Sequence, residues 1–190
     1  MDAPLLIAHR LGRANGPDSS ARALAETLAG PAGGVETDVC LTADGELALL
    51  HDPWLPIGTT ADGWADRTPW ADTIEHANLR DRHGETTSER ILRLEDVLDL
   101  TPPEMLVQLD VKVHGDHELA SETVRTIAQH LLDRPDADRV EVLSFHSAAC
   151  GTAARLGLRS RMIVWADHDP AGIVQWARDN DIGGVCVEHF

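Results

Sequence analysis

The stretch GVETDVCLTADGELALLHD, residues 34–52, contains two apolar runs joined by a turn. Residues 34–41 predict a strand, and the second apolar run follows the turn Thr42-Ala43-Asp44-Gly45. Each run carries polar groups, Glu36-Thr37-Asp38 in the first and His51-Asp52 at the end of the second. Because no helix fits between the two runs, one helical crossover of a regular α/β barrel is expected to be missing here.

Strands alternate with helices along the rest of the chain. Apolar runs predict strands at 5–9, 105–111, 140–145, 160–165 and 182–187, and caps and helical spacing predict helices at 21–28, 94–100, 120–131, 147–156 and 170–178. This order predicts a parallel sheet with helices outside, an α/β fold of the TIM (β/α)8 barrel type. The polar groups at the strand ends would then meet at one mouth.

The predicted barrel is irregular. Seven strands are predicted where a closed barrel has eight, so the pattern predicts a chain truncated before strand eight. The unpaired edges of such a sheet favour self-association, which makes a homo-oligomer one expectation. Length and composition, 190 residues of which 43% are hydrophobic, predict a single domain over 1–190. Residues 53–90, which hold three of the five tryptophans, have little periodicity and predict an insertion that covers the substrate.

Charge and cysteine usage disfavour several classes of partner and compartment. The formal net charge of −16 argues against binding a nucleic-acid backbone or an anionic membrane surface through bulk charge. The N-terminal segment has no basic region and only a short apolar run, so it predicts neither a signal peptide nor a membrane anchor. The three cysteines are far apart and lack Cys-x-x-Cys spacing, which favours free thiols in a reducing, cytoplasmic compartment.

Two carboxylates lie on the same side of the strand predicted for residues 34–41. Glu36 and Asp38 lie two residues apart, so in an extended strand their side chains face the same side. They repel each other unless a cation lies between them, and hard divalent ions such as Mg²⁺ or Ca²⁺ prefer oxygen ligands. An acidic pair at a solvated strand end is the alternative interpretation, and the spacing alone leaves both open.

Histidines and cations also follow the apolar runs. His9 and His51 can each donate or accept a proton near neutral pH, so they are candidates for an acid and a base, although strand-end histidines also serve as simple hydrogen-bonding groups. Arg10 and Lys112 suit the oxygens of a phosphate, or equally an ion pair with a neighbouring carboxylate. Gathered in one mouth, these groups suit metal-assisted chemistry on a phosphate ester.

The order and spacing of the motifs resemble the glycerophosphodiester phosphodiesterases, a family of irregular TIM barrels. The matching motifs are His9-Arg10, Glu36-Thr37-Asp38-Val39, Thr42-Ala43-Asp44-Gly45, His51-Asp52 and, with one residue altered, Asp110-Val111-Lys112. The resemblance implies that a divalent metal, Mg²⁺ or Ca²⁺, is held by Glu36, Asp38 and Asp110. It further implies that His9 and His51 are the acid and base, and that Arg10 and Lys112 contact the phosphate.

The same resemblance implies a reaction and a substrate. The expected activity is metal-dependent hydrolysis of a small-molecule glycerophosphodiester to an alcohol and glycerol 3-phosphate. Two alternatives stay open. One is a catalytically impaired protein of the same fold that binds or displays a phosphate ligand, and the other is a lipid phosphodiesterase of the related phospholipase D type.

The chain departs from the pattern of the family at several places, and two of them are single residues in the candidate site. Leu11 stands where the family usually has a glycine beside the active site. Asp110 replaces the usual glutamate, and its side chain is one methylene shorter, which would draw the carboxylate back by about 1.5 Å.

Overall fold

The computed structural model describes residues 4–167 and 169–188, and in this part of the chain the main sheet has seven strands. In chain order the strands are β1 (Ile7–Ala8), β2 (Gly34–Leu41), β3 (Leu47–Ala48), β4 (Asn78–Arg80), β5 (Thr86–Arg90), β6 (Leu106–Val111), β7 (Val140–Ser144), β8 (Arg159–Trp165) and β9 (Gly184–Glu188). Strands β4 and β5 form a separate hairpin. The sheet order is β1-β2-β6-β7-β8-β9 with parallel neighbours throughout, and β3 pairs with β2. The sheet curls into an incomplete barrel.

The α-helices of the described residues lie where the sequence predicts them. They are α1 (Ala21–Leu28), α2 (Leu94–Leu100), α3 (His117–Leu131), α4 (Ser147–Arg155) and α5 (Pro170–Asp179). The largest difference from the prediction is at α3, which begins three residues earlier because Asp116 caps it by accepting from two backbone N–H groups. The first strand is shorter than predicted, since the chain enters a tight turn at His9.

The chain reverses direction after β2. In the turn over residues 42–45, Oγ1 of Thr42 donates to Oδ1 of Asp44 at 2.7 Å. Gly45 has φ +90°, a conformation that glycine adopts without a steric penalty. The strand β3 therefore runs antiparallel to β2, because a connection this short cannot make the crossover that parallel strands need. The reversal returns the chain towards the mouth of the sheet and places His51 there.

The main core lies between the sheet and the helices. In α3 the predicted apolar positions Ala120, Val124, Ile127 and Leu131 are buried, while Ala128 at the border of this face is partly exposed. They pack with strand residues that include Val35, Val107 and Val142. Truncating one such buried side chain costs about 2–5 kcal/mol, so this packing fixes the strands whose ends form the site.

The segment predicted as an insertion, residues 53–90, has short elements and a core of its own. It contains the β4–β5 hairpin and two single 3-10 turns. A second apolar cluster joins it to the β2–β3 region, with members that include Cys40, Leu55 and Ile74. Among the described helices, none combines the length and the apolar character that crossing a bilayer requires. The predicted free state of the three cysteines is confirmed.

Candidate active site

The strand ends meet around a cleft of about 710 Å³. Six of the predicted site residues line it, namely His9, Arg10, Glu36, His51, Asp110 and Lys112. The seventh, Asp38, is buried behind them and contacts the side chains of both Arg10 and Lys112. The structure thus brings all seven predicted residues to one mouth.

Three buried carboxylates form the floor of the site. Asp38 on β2 is the register partner of Asp110 on β6, and Glu36 lies two residues before Asp38 on the same side of the strand. One oxygen from each of the three lies within 4.8 Å of the others. Burial, together with the negative charges of Asp38 and Asp110, raises the pKa of Glu36 to about 8. A positive charge nearby therefore stabilises the ionised form of this cluster.

Two cationic side chains supply positive charge next to these carboxylates. The ammonium of Lys112 lies 2.5 Å from Oδ2 of Asp110 and 3.2 Å from Oδ1 of Asp38. Burial acts to lower the pKa of Lys112, but the adjacent carboxylates outweigh it and raise that pKa. The guanidinium of Arg10 bridges Asp18 at 2.5 Å and Asp38 at 3.4 Å. Both cations thus form ion pairs with carboxylates in this structure. Ion pairing was one of the two roles that the sequence left open for them, and contact with a phosphate was the other.

The two histidines have different surroundings. The side chain of His9 is 57% exposed, and its Nε2 lies 3.7 Å from Oε2 of Glu36. Partial loss of solvent around the ring, together with the charge of Arg10, lowers the pKa of His9. The Nδ1 atom of His51 lies 3.2 Å from Oδ2 of Asp52. A carboxylate at Nδ1 favours the tautomer with its proton on that nitrogen and leaves Nε2 for exchange with a substrate.

The turn that carries His9 and Arg10 has an uncommon backbone. Arg10 and Leu11 have φ of 50° and 58°, in the left-handed region that non-glycine residues rarely adopt. Backbone N–H of Arg10 donates to Oε2 of Glu36 at 2.9 Å, and Leu11 is fully buried in the main core. At the position where the family usually has glycine, Leu11 therefore takes a conformation that glycine adopts freely, and its side chain compensates by packing.

Several residues of the cleft carried no predicted role. Phe145 and Trp165 line one wall and stack with ring centroids 4.9 Å apart at 29°. The ammonium of Lys112 lies 5.8 Å from the centroid of Phe145. Asp18 holds Arg10 from a loop eight residues away. The position of Phe145 at the end of the predicted strand 140–145 was the available signal for the wall.

The carboxylate cluster fits a hard divalent cation. All three ligand groups are oxygen donors, the set that Ca²⁺ and Mg²⁺ prefer, and two oxygens bound to one Ca²⁺ can lie up to about 5 Å apart. The shorter Asp110 still reaches the cluster. Among the described residues, Oδ2 of Asp38 is buried, accepts no hydrogen bond and lies 3.4 Å from Nε of Arg10, so its surroundings already favour a positive charge.

Comparisons with known proteins agree with the motifs. The profile of the Glycerophosphoryl diester phosphodiesterase family matches residues 9–171. A glycerophosphodiester phosphodiesterase of Bacillus altitudinis is 28% identical over 144 residues, which are 74% of this chain and 58% of that protein. The uncharacterized protein YqiK of Bacillus subtilis is 27% identical over 158 residues, 80% of this chain and 62% of that protein. The chain thus spans about three fifths of the length of these two relatives.

Solved structures share the fold. A phosphodiesterase from Oleispira antarctica, solved with the product sn-glycerol-3-phosphate, superposes with a TM-score of 0.83 at 24% identity, over 97% of this chain and 74% of that one. A glycerophosphodiester phosphodiesterase from Thermotoga maritima gives a TM-score of 0.73 at 16% identity, over 98% of this chain and 75% of that one. These likenesses confirm the predicted irregular α/β barrel. With the profile match covering most of its residues, the chain belongs to the Glycerophosphoryl diester phosphodiesterase family.

Proposed function

We propose that this chain is a metal-dependent phosphodiesterase that hydrolyses small glycerophosphodiesters to an alcohol and glycerol 3-phosphate. The observation that carries the proposal is the collection of three buried carboxylates, two cations and two histidines around one cleft. Membership of the family supports the substrate class. The free cysteines support a reducing, cytoplasmic location.

Glu36, Asp38 and Asp110 are the residues that would hold the metal. A bound Mg²⁺ or Ca²⁺ would supply Lewis-acid polarisation of the phosphate and neutralise negative charge that develops on its oxygens. Arg10 and Lys112 add two fixed positive charges at the same wall of the cleft, where they would contact the phosphate oxygens.

The histidines divide the proton transfers between them. Asp52 lies beside Nδ1 of His51 and orients the ring, and His51 serves as the acid that donates a proton to the leaving alkoxide. His9, beside the cation of Arg10, serves as the base. It accepts the proton of the nucleophile, whose oxygen forms a new bond to phosphorus. Water as the nucleophile gives glycerol 3-phosphate directly, whereas the substrate's own glycerol hydroxyl gives a cyclic phosphate that water then opens to glycerol 3-phosphate. The phosphorus–oxygen bond to the alcohol then breaks, and the leaving oxygen takes the proton of His51.

The stacked rings of Phe145 and Trp165 form the apolar side of the cleft. Carbon atoms of the glycerol moiety would pack on this wall while its phosphate faces the charged floor. The division of the cleft into one charged and one apolar side thereby orients the substrate.

Turnover of glycerophosphocholine tests the proposal. We expect release of glycerol 3-phosphate with added Mg²⁺ or Ca²⁺, and loss of this activity with a chelator. The variant His51→Ala should lack activity, and His76→Ala, whose ring is exposed and pairs with Glu75, is the matched control that should retain it. Binding of glycerol 3-phosphate without any turnover by the wild-type chain would instead favour a phosphate-ligand binding protein of the same fold.

A further inference from the structure

A second cavity is lined by Asp52, the neighbour of His51 in the chain, and by residues that take no part in the reaction described above. It measures about 410 Å³ and is lined by Asp52, Pro53, Trp54, Ile57, Trp64 and His114. Most of this lining comes from the start of the insertion, and the two tryptophans are among only five in the chain. Ile57 is 58% exposed, so the cavity opens to solvent.

The aromatic rings of this cavity are held in place by the backbone. The ring centroids of Trp54 and Trp64 lie 5.0 Å apart with planes tilted by 55°. The two residues form an antiparallel bridge, reinforced by the backbone hydrogen bond from Leu55 to Gly63. The imidazole of His114 lies 4.4 Å from the ring of Trp64. Trp64 thus packs against both Trp54 and His114, and all three rings line the cavity before any ligand arrives.

The lining selects for one kind of ligand. The faces of indole rings attract an organic cation, and tryptophan is the strongest of the aromatic side chains in this respect. The carboxylate of Asp52 adds a negative charge, which repels anions and attracts the same cation. A sugar or a free glycerol would need several hydrogen-bond partners, whereas Pro53, Ile57 and the ring faces offer an apolar surface that suits methyl groups.

The location of the cavity connects it to the leaving group. Asp52 lines the cavity and contacts the ring of His51, the residue that donates a proton to the leaving alkoxide. His114 follows Lys112 by two residues, just beyond the end of β6. A substituent on the leaving alcohol that extends past His51 towards Asp52 therefore reaches this cavity.

We propose that the cavity formed by Trp54, Trp64, His114 and Asp52 binds the quaternary ammonium group of the leaving alcohol and makes choline-type diesters the preferred substrates. This inference rests on the proposed function, because it assigns a subsite of the same reaction. The ammonium group lies on the far side of the alcohol from the bond that breaks, so the subsite acts on substrate preference.

Substrate preference provides the first test. We compare kcat/KM for glycerophosphocholine and for glycerophosphoglycerol, whose leaving alcohol is uncharged, in wild type and in Trp64→Leu. The variant should lower kcat/KM for the choline diester by about 5- to 30-fold, the range of a desolvated cation–π contact, and leave the glycerol diester unchanged. Trp70→Leu is the matched control, because Trp70 lies in the same insertion but stacks on Arg93 outside the cavity. Melting temperatures check that each variant folds, and Trp54→Leu replaces Trp64→Leu if the latter does not.

A binding measurement separates this inference from the activity itself. Choline and its uncharged carbon isostere, 3,3-dimethylbutanol, are titrated against the wild-type chain and Trp64→Leu by calorimetry. We expect choline to bind the wild type more tightly than the isostere does, and the difference to vanish in the variant. Equal binding of the two compounds, or an unchanged diester preference in Trp64→Leu, would overturn the subsite while leaving the phosphodiesterase intact. Failure to hydrolyse any diester would overturn the proposed function, and choline binding alone would then decide whether the cavity takes a cation.

Discussion

Asp38 on β2 and Asp110 on β6 are register partners in the parallel ladder that joins the two strands. Their carboxylates are brought together by backbone pairing between two central strands, so a shift of this ladder by one residue would turn one of them to the opposite face. Glu36 shares the face of Asp38 because it lies one strand period earlier. The geometry of the carboxylate cluster is therefore as rigid as the sheet itself.

The first prediction concerns the metal. An ion that binds only the folded protein stabilises it by about 2.7 kcal/mol at a concentration of 100 times its Kd, so added Ca²⁺ or Mg²⁺ should raise the melting temperature of the wild-type chain. Asp38→Ala should abolish this rise, as measured by thermal unfolding with and without the ion. Asp72→Ala, in an exposed acidic group with Glu75 and His76, should keep it. A wild-type metal response in Asp38→Ala would remove Asp38 from the ligand set.

The second prediction concerns the acid and base. His9→Ala and His51→Ala should each lower kcat by about 10²- to 10⁴-fold, since each removes one proton transfer. Both variants should keep the melting temperature and the metal response of the wild type, because neither ring is buried in the core. Steady-state kinetics on glycerophosphocholine measure the effect. Full activity in either variant would exclude that histidine from the mechanism.

The third prediction concerns Lys112, which is the one lysine in the 190-residue sequence. Its replacement in Lys112→Met leaves the buried Asp38 and Asp110 without their ammonium partner, and breaking a buried pair in this way costs about 3–5 kcal/mol. Added Ca²⁺ should restore part of that loss, so the metal-induced rise in melting temperature should exceed that of the wild type. Equal rises in the two proteins would show that Lys112 and the metal do not share the carboxylates.

The fourth prediction concerns the left-handed residue Leu11. Leu11→Gly relieves backbone strain of about 1–2 kcal/mol but deletes a fully buried side chain, a loss of about 2–5 kcal/mol. Because the packing loss is larger, the variant should unfold at lower denaturant concentration than the wild type. Chemical unfolding measures the difference. A more stable Leu11→Gly variant would show that the strain of the turn outweighs the packing of the side chain.

Local signals explain which parts of this structure were predictable. Ser20 caps α1 as expected, with its Oγ accepting from the backbone N–H of Ala23, and the apolar spacing of α3 gives its buried face. The motifs at the strand ends identified the seven residues that meet at the mouth, because parallel strands present their ends at one edge. These features depend on residues close in sequence or on the regular geometry of the sheet.

The features that escaped prediction depend on tertiary contacts. The β4–β5 hairpin is formed by polar residues such as Thr86 and Arg90, and it has no apolar alternation to reveal it. The ion pair of Arg10 with Asp18 joins two loop positions that no periodicity relates. The stack of Phe145 on Trp165 requires the register of β7 and β8, which pairs strands separated by a helix.

The reversal of the chain at β3 has a consequence for how the site assembles. Glu36, Asp38 and His51 belong to one hairpin closed by a four-residue turn, so bringing them together costs little loop-closure entropy. Asp110 and Lys112 join them only when the distant β6 docks on β2, and they arrive together because both lie at the end of that strand. The strand that adds the third carboxylate thus delivers its own counterion in the same folding event, and Asp110 joins the cluster without adding net charge.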